Sequence, residues 1–191
     1  MIDAANITNY NLTDAELETA LMFWVFAAGK NGTRAAQITN QLRSFWDTIS
    51  KDISTFHWLM HYDLEDTTEL LKQYKTGCHS IKARTLWQLC REELNLRTCT
   101  AEDLEKIYGI GMKTARCFII HSRENAPYAG LDTHMLKYLK SLGYDVPKNT
   151  PSSKKSYLTI EKIVLNLARE SGKTPADFDL SVWNKYKIIS K

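Results

Sequence analysis

Apolar residues recur at helical spacing along nearly the whole chain, strand signals are weak throughout, and the connections are short; that pattern confines the fold to the all-α class. Asn11-Leu12-Thr13-Asp14 opens the first helix, with Thr13 as N-cap and Glu16 three residues on, the spacing of a capping box. The apolar run that follows, 20–28 (ALMFWVFAA), falls far short of the roughly 18 to 20 residues that span a bilayer, so it reads as a core helix. Gly29 and Gly32 bracket a turn. Further helices are predicted over 33–50, 54–60, 67–74 and 80–94, from a Thr100 cap with Glu102 and Asp103 in its first turn, and over 112–121, 133–142, 158–168 and 178–189. Residues 147–156 form a polar, basic loop.

A chain of 191 residues can build one compact domain or two small lobes around a cleft. Its 43 % hydrophobic and 25 % charged residues are the mix of a soluble globular protein, and MIDAANITNY carries no basic or apolar stretch of a secretory signal, so a cytoplasmic protein is the simplest expectation. Cys78, Cys90, Cys99 and Cys117 include no CxxC pair, which fits scattered reduced thiols rather than a zinc or iron–sulfur site. The net charge of +3 is compatible with nucleic acid but too mild to argue for it.

The most informative stretch is Leu104-Glu105-Lys106-Ile107-Tyr108, then Gly109-Ile110-Gly111, then a helix from Met112. Glycine at such a turn supplies positive φ without a Cβ in the way. The helix start that follows offers unpaired N–H groups and a partial positive charge to a phosphate. A tight turn between packed helices explains the same spacing. Asp132 fits the N-cap of the 133–142 helix, and that role is compatible with a chemical one.

The segment 104–115 closely resembles the hairpin of the endonuclease III and 8-oxoguanine glycosylase superfamily, whose pattern is Gly-hydrophobic-Gly-x-Lys-x-Ala, matched here by Gly109 to Ala115 with Lys113 at the lysine. Gly130-Leu131-Asp132-Thr133-His134, with its aspartate nineteen residues beyond Lys113, resembles the superfamily's hydrophobic-Asp-x-His element, and Gly77 with Lys82-Ala83-Arg84 resembles its Gly-x4-Lys-Ala segment. The likeness covers about 21–142. It implies an all-α, two-lobed helix-hairpin-helix glycosylase fold, with a barrel lobe over 14–125 carrying the hairpin at about 104–121, and a second lobe from 1–13 plus 126–191.

That resemblance also implies a reaction. Lys113 would attack the sugar C1′ of a damaged nucleotide flipped from duplex DNA, expel the base, form a Schiff base and nick the strand by β-elimination. A helix N-terminus and partial burial both favour the free amine of a lysine in this place. Asp132 would stabilise the cationic sugar or assist proton transfers. Gly109, Gly111, Thr114, Lys82, Arg84, Lys30 and Asn31 would meet the DNA, with Lys106, Arg116, Lys154 and Lys155 also on that face, while His134 reads as structural. The closing Asp177-Phe178-Asp179-Leu180-Ser181-Val182-Trp183 resembles the end of the short archaeal-type 8-oxoguanine glycosylases, which implies a base pocket of Trp183, Phe178 and Lys191. No metal or cofactor is implied. The expected partner is double-stranded DNA holding a damaged base, met by a monomer in the cytoplasm or on the nucleoid. Two other readings share the fold: a DNA-binding module without catalysis, and an enzyme acting on a modified base in viral DNA.

Overall fold

The computed structural model describes residues 1–189, with side chains through Tyr186, so Lys191 lies outside the described residues. Among the described residues every regular element is a helix: α1 (Asp14–Ala27), α2 (Gly32–Ile49), α3 (Thr55–Met60), α4 (Leu64–Gln73), α5 (His79–Leu89), α6 (Ala101–Glu105), α7 (Met112–Ser122), α8 (Thr133–Ser141), α9 (Lys154–Glu170) and α10 (Pro175–Ile189). Side-chain caps set many of the starts. Thr13 and Glu16 form the capping box expected for α1, and Thr100 forms a second box with Asp103 at α6. Asp63 accepts from the Asp66 N–H and starts α4 three residues earlier than the apolar periodicity suggests. α5 stops at Leu89, five residues short of expectation, and Arg91 and Glu92 continue only in turns that close on Gln88.

Two apolar clusters organise the chain. The first gathers α1 to α7; α1 is buried on nearly all sides from Ala20 to Ala27 and runs through the middle of it, against Trp46, Leu71, Leu86 and Phe118. The second is built from Leu131 in the loop before α8 and from Leu136, Leu139, Tyr157, Val164, Phe178 and Val182 on α8, α9 and α10. The N-terminal segment does not join the second cluster, where residues 1–13 were expected. Ile7 is buried in the first, the main chain of Ile2 is gripped at both ends by the Asn40 amide on α2, and the Asn9 N–H donates to the His121 carbonyl on α7. Ile2 packs partly buried against this cluster and Ile7 lies within it, so their apolar surface is covered there.

Candidate active site

The hairpin between α6 and α7 is held from behind by α5. Gly109 takes φ +82°, and a Cβ on it would sit 2.3 Å from the Thr85 Oγ1, so both the conformation and the space demand glycine. Thr85 donates to the Tyr108 carbonyl at 2.7 Å and Gln88 accepts from the Tyr108 N–H at 2.9 Å, fixing the turn on α5. Gly111 differs: it is extended at φ −96° and ψ 173°, and nothing lies within 4 Å of a Cβ placed there. It caps α7 without any side-chain acceptor, so the first amides of α7 open onto clear space.

Lys113 stands in that first turn, half-buried, with Nζ 5.5 Å from the centre of the Trp24 ring. Asp132 is the N-cap of α8 and its Oδ1 accepts from the Met135 N–H at 2.7 Å. Both line one cleft of about 1180 Å³ between the two clusters, together with Trp24, His121, Asp179 and Trp183. What brings Asp132 to Lys113 is the loop before it. At Gly130 the backbone runs so close to α7 that a Cβ would fall 2.4 Å from the Cys117 Sγ, one helical turn beyond Lys113. Burial keeps that thiol protonated by pushing its pKa well up.

The same loop is clamped by buried polar groups. The Tyr157 hydroxyl donates to the Ala129 carbonyl at 3.0 Å and accepts from the Leu131 N–H at 3.1 Å. Glu161 accepts from the Ala129 N–H at 2.9 Å and from Arg116 Nε at 3.0 Å, while Arg116 also pairs with Glu105. Arg116 is fully buried, between the Tyr128 and Tyr157 rings. Burial pushes the Glu161 carboxyl up against the pull of the Ala129 N–H and Arg116; burial works against the Arg116 charge too, yet Glu105 and Glu161 hold it more firmly protonated. The two charge-assisted contacts decide for an ionised pair.

Burial also raises Asp132 above the ordinary aspartate range, and the Asp179 charge pushes the same way; the Met135 N–H, Lys113 and His134 pull back. Asp179 is itself held by His121, whose Nε2 lies 3.2 Å from its Oδ2 and whose Nδ1 lies 2.8 Å from the Thr8 hydroxyl. Sequence reasoning gave His121 no place in the site, and met Asp179 only as part of the closing element that resembles the short archaeal-type glycosylases, without a role. Besides that resemblance, the spacing of Asp179 from Trp183 points to the site: four residues apart on a helix, they share a face.

The remaining expected residues divide. Arg84 is exposed and lies 4.2 Å over the Tyr108 ring, beside the hairpin. Lys30 is exposed at the cleft mouth, its Cε 2.8 Å from where a Gly77 Cβ would be, and Asn31 caps α2 by accepting from the Thr33 N–H. Thr114 reaches the cleft although nearly buried, and Trp183 lines it, packed over Gly32. Three expectations are corrected. Lys82 is buried, its Nζ donating at 2.9 Å to the carbonyls of Phe26 and Thr76, so it ties α1 to the start of α5 and faces no DNA. Arg116 is likewise internal. Phe178 is buried in the second cluster, edge-on to Tyr138, because it lies one helical step away from the cleft-facing Asp179. Lys106 is exposed against Asp103, and Lys154 pairs with Glu102 at 3.2 Å across the two clusters. Among the described residues no group of three or more His, Cys, Asp or Glu side chains is placed to hold a metal ion.

Comparison with known proteins adds to this geometry. The family model for the 8-oxoguanine DNA glycosylase with a helix-hairpin-helix matches residues 5–173. The 8-oxoguanine DNA glycosylase/AP lyase of Thermoplasma acidophilum is 38 % identical over 80 residues, 42 % of this chain and 37 % of that protein; the matched stretch thus spans under two fifths of the relative's length. Among solved structures, the 8-oxoguanine DNA glycosylase of Thermotoga maritima superposes with a TM-score of 0.70 at 25 % identity, covering 90 % of this chain and 79 % of the other. The 8-oxoguanine glycosylase/lyase of Methanocaldococcus jannaschii, solved with a 15mer DNA containing 8-oxoguanine, gives 0.71 at 20 % identity over 95 % and 84 % of the two chains.

Proposed function

Because the chain belongs to the helix-hairpin-helix 8-oxoguanine DNA glycosylase family, we propose that it is a bifunctional glycosylase and AP lyase acting on 8-oxoguanine in duplex DNA. The observation that carries this reading is the meeting of Lys113 and Asp132 in one cleft, beside a helix start left open by Gly111. The uncapped amides of α7 are suited to a backbone phosphate, which would set the sugar of the flipped nucleotide over Lys113. Trp24 and Trp183 give the extruded base aromatic walls. The neutral amine of Lys113 attacks C1′, the C1′–N9 bond breaks, and the base leaves and takes up a proton. The Asp132 carboxylate faces the positive charge that develops on the sugar. Loss of the C2′ proton from the resulting Schiff base then expels the 3′ phosphate. Among the described residues no helix is long and apolar enough to cross a membrane. Cytoplasmic action as a monomer completes the proposal.

Borohydride trapping on duplexes bearing 8-oxoguanine, an abasic site, or a panel of other lesions tests it. The expected result is a covalent adduct on the first two, lost in Lys113→Gln. Release of 8-oxoguanine undiminished in Lys113→Gln, or no adduct on any duplex, refutes it.

A further inference from the structure

Asp179 is a second carboxylate in the cleft, and its setting is unusually complete. His121 is 2 % exposed at the end of α7, its ring stacked on Trp24 with centroids 5.3 Å apart and planes 13° from parallel. Its two nitrogens are both occupied: the Thr8 hydroxyl, 2.8 Å from Nδ1, can donate and so leave Nε2–H to donate to Asp179 Oδ2 at 3.2 Å. The other Asp179 oxygen, Oδ1, lies 3.5 Å from where a Gly130 Cβ would be, against the loop that carries Asp132 two residues later. An N-terminal segment, the end of α7 and α10 thus converge to hold Asp179 against the loop that carries Asp132.

Resting on the reading that Lys113 and Asp132 are the reacting pair, we propose that Asp179 is a positioning residue of the same centre: a second carboxylate, oriented by the Thr8–His121 chain, whose negative charge sets when Asp132 carries its own. Two carboxylates sharing a low-dielectric site cannot both ionise freely, so the more solvated or better hydrogen-bonded one ionises first. Here Asp179 has the imidazole as partner and Asp132 the Met135 N–H, so both are held in place and the charge of one weighs on the other. The groups facing Asp132 are Lys113 and Cys117 from α7, His134 from α8 and Asp179 from α10, with Lys30 and Arg34 lining the same cleft from the α1–α2 turn. Cys117 is held neutral by burial, so the balance lies between one neighbouring anion and the surrounding cations. Asp132 must be a carboxylate to stabilise the sugar cation. Base release needs Lys113 neutral as well as Asp132 ionised, so the acid limb carries both ionisations, and Asp179 holds the Asp132 part of it at higher pH than Asp132 alone would give.

The test is a single-turnover pH–rate profile of 8-oxoguanine release, with Lys113-dependent borohydride trapping on an abasic duplex as a separate readout. Asp179→Asn keeps the shape and a hydrogen-bonding group; the acid limb is expected to move down by about one pH unit, a roughly tenfold faster rate below the midpoint. His121→Phe keeps a ring on Trp24 but frees Asp179, and is expected to move the limb the same way by less. A uniform loss of rate with an unmoved midpoint marks a merely structural role and overturns the proposal, as does an unchanged profile. Wild-type protein that forms no Lys113-dependent adduct overturns instead the reading on which it rests. If Asp179→Asn does not fold, as read by its circular-dichroism melt, the His121→Phe midpoint decides alone.

Discussion

Replacing Gly130 with alanine tests how the Asp132 loop is held. Gly130 is not among the residues with positive φ, so alanine there meets no backbone penalty; the obstacle is space. The new Cβ would sit 2.4 Å from the Cys117 Sγ, whereas the Cys117 Cβ is 3.9 Å away and Asp179 Oδ1 is 3.5 Å away, both ordinary contacts. Only the sulfur objects, and it is buried at 2 % exposure with no solvent to move into. Overpacking of this kind costs about 1–3 kcal/mol, because either the loop lifts from α7 or the helix is pushed back. For a chain of this size that corresponds to a melting temperature about 2–12 °C lower. If the loop is what lifts, Asp132 moves with it, and a displacement near 1 Å costs roughly 10²-fold in rate. Cys117→Ala alone loses about 1 kcal/mol of burial. The double variant exchanges a sulfur for a methyl in nearly the same place, so it should melt within a few degrees of Cys117→Ala and recover most of the trapping rate. Differential scanning calorimetry and borohydride trapping on an abasic duplex read the two halves of the cycle. A Gly130→Ala protein as stable and active as wild type, or a double variant no better than Gly130→Ala, refutes the close approach as the device that places Asp132.

Glu161→Ala should cost about 3–5 kcal/mol, since it strips a buried guanidinium of one partner and orphans the Ala129 N–H; urea titration with an unchanged slope checks it, and a loss under 1 kcal/mol contradicts the clamp. Burial lowers the folded-state pKa of Lys82 to about 8, so between pH 8 and 10.5 the unfolded chain binds the extra proton and the Lys82 contribution to stability rises with pH. Melts of wild type and Lys82→Met across that window should therefore diverge as pH increases, after an offset of about 1–3 kcal/mol for the orphaned carbonyls of Phe26 and Thr76. Gly111→Ala should fold with its melt nearly unmoved but bind duplex DNA more weakly, while Gly109→Ala should lose stability as well, through Thr85 and its positive φ; fluorescence anisotropy beside the melts separates the two.

What could be read in the sequence was what local chemistry decides. Thr13 with Glu16, Thr100 with Asp103 and the Gly109 turn each announce themselves within a few residues, and the helices follow. The charged side chains were misjudged for a reason of a different kind. Lysine and arginine read as surface residues by default, yet Lys82 finds its carbonyl at Phe26, fifty-six positions away, and Arg116 finds Glu161 at forty-five. No window along the chain contains both partners. The same distance hides His121 and Asp179, fifty-eight apart. Phe178 is a milder case: Phe178 and Val182 share one face of α10 and Asp179 and Trp183 the next, so counting in fours would have sent Phe178 to the core.

Arg116 sits where the two apolar clusters meet, bonded to Glu105 on one side and Glu161 on the other. Prising the halves apart would pull a charge out of a dry seat and leave its counter-ions unmatched, a penalty that grows from the first ångström of travel. The gap between the lobes therefore behaves as a fixed mould. Under the proposed function, a duplex entering it would have to do the bending, and nucleotides already weakly stacked would yield most readily.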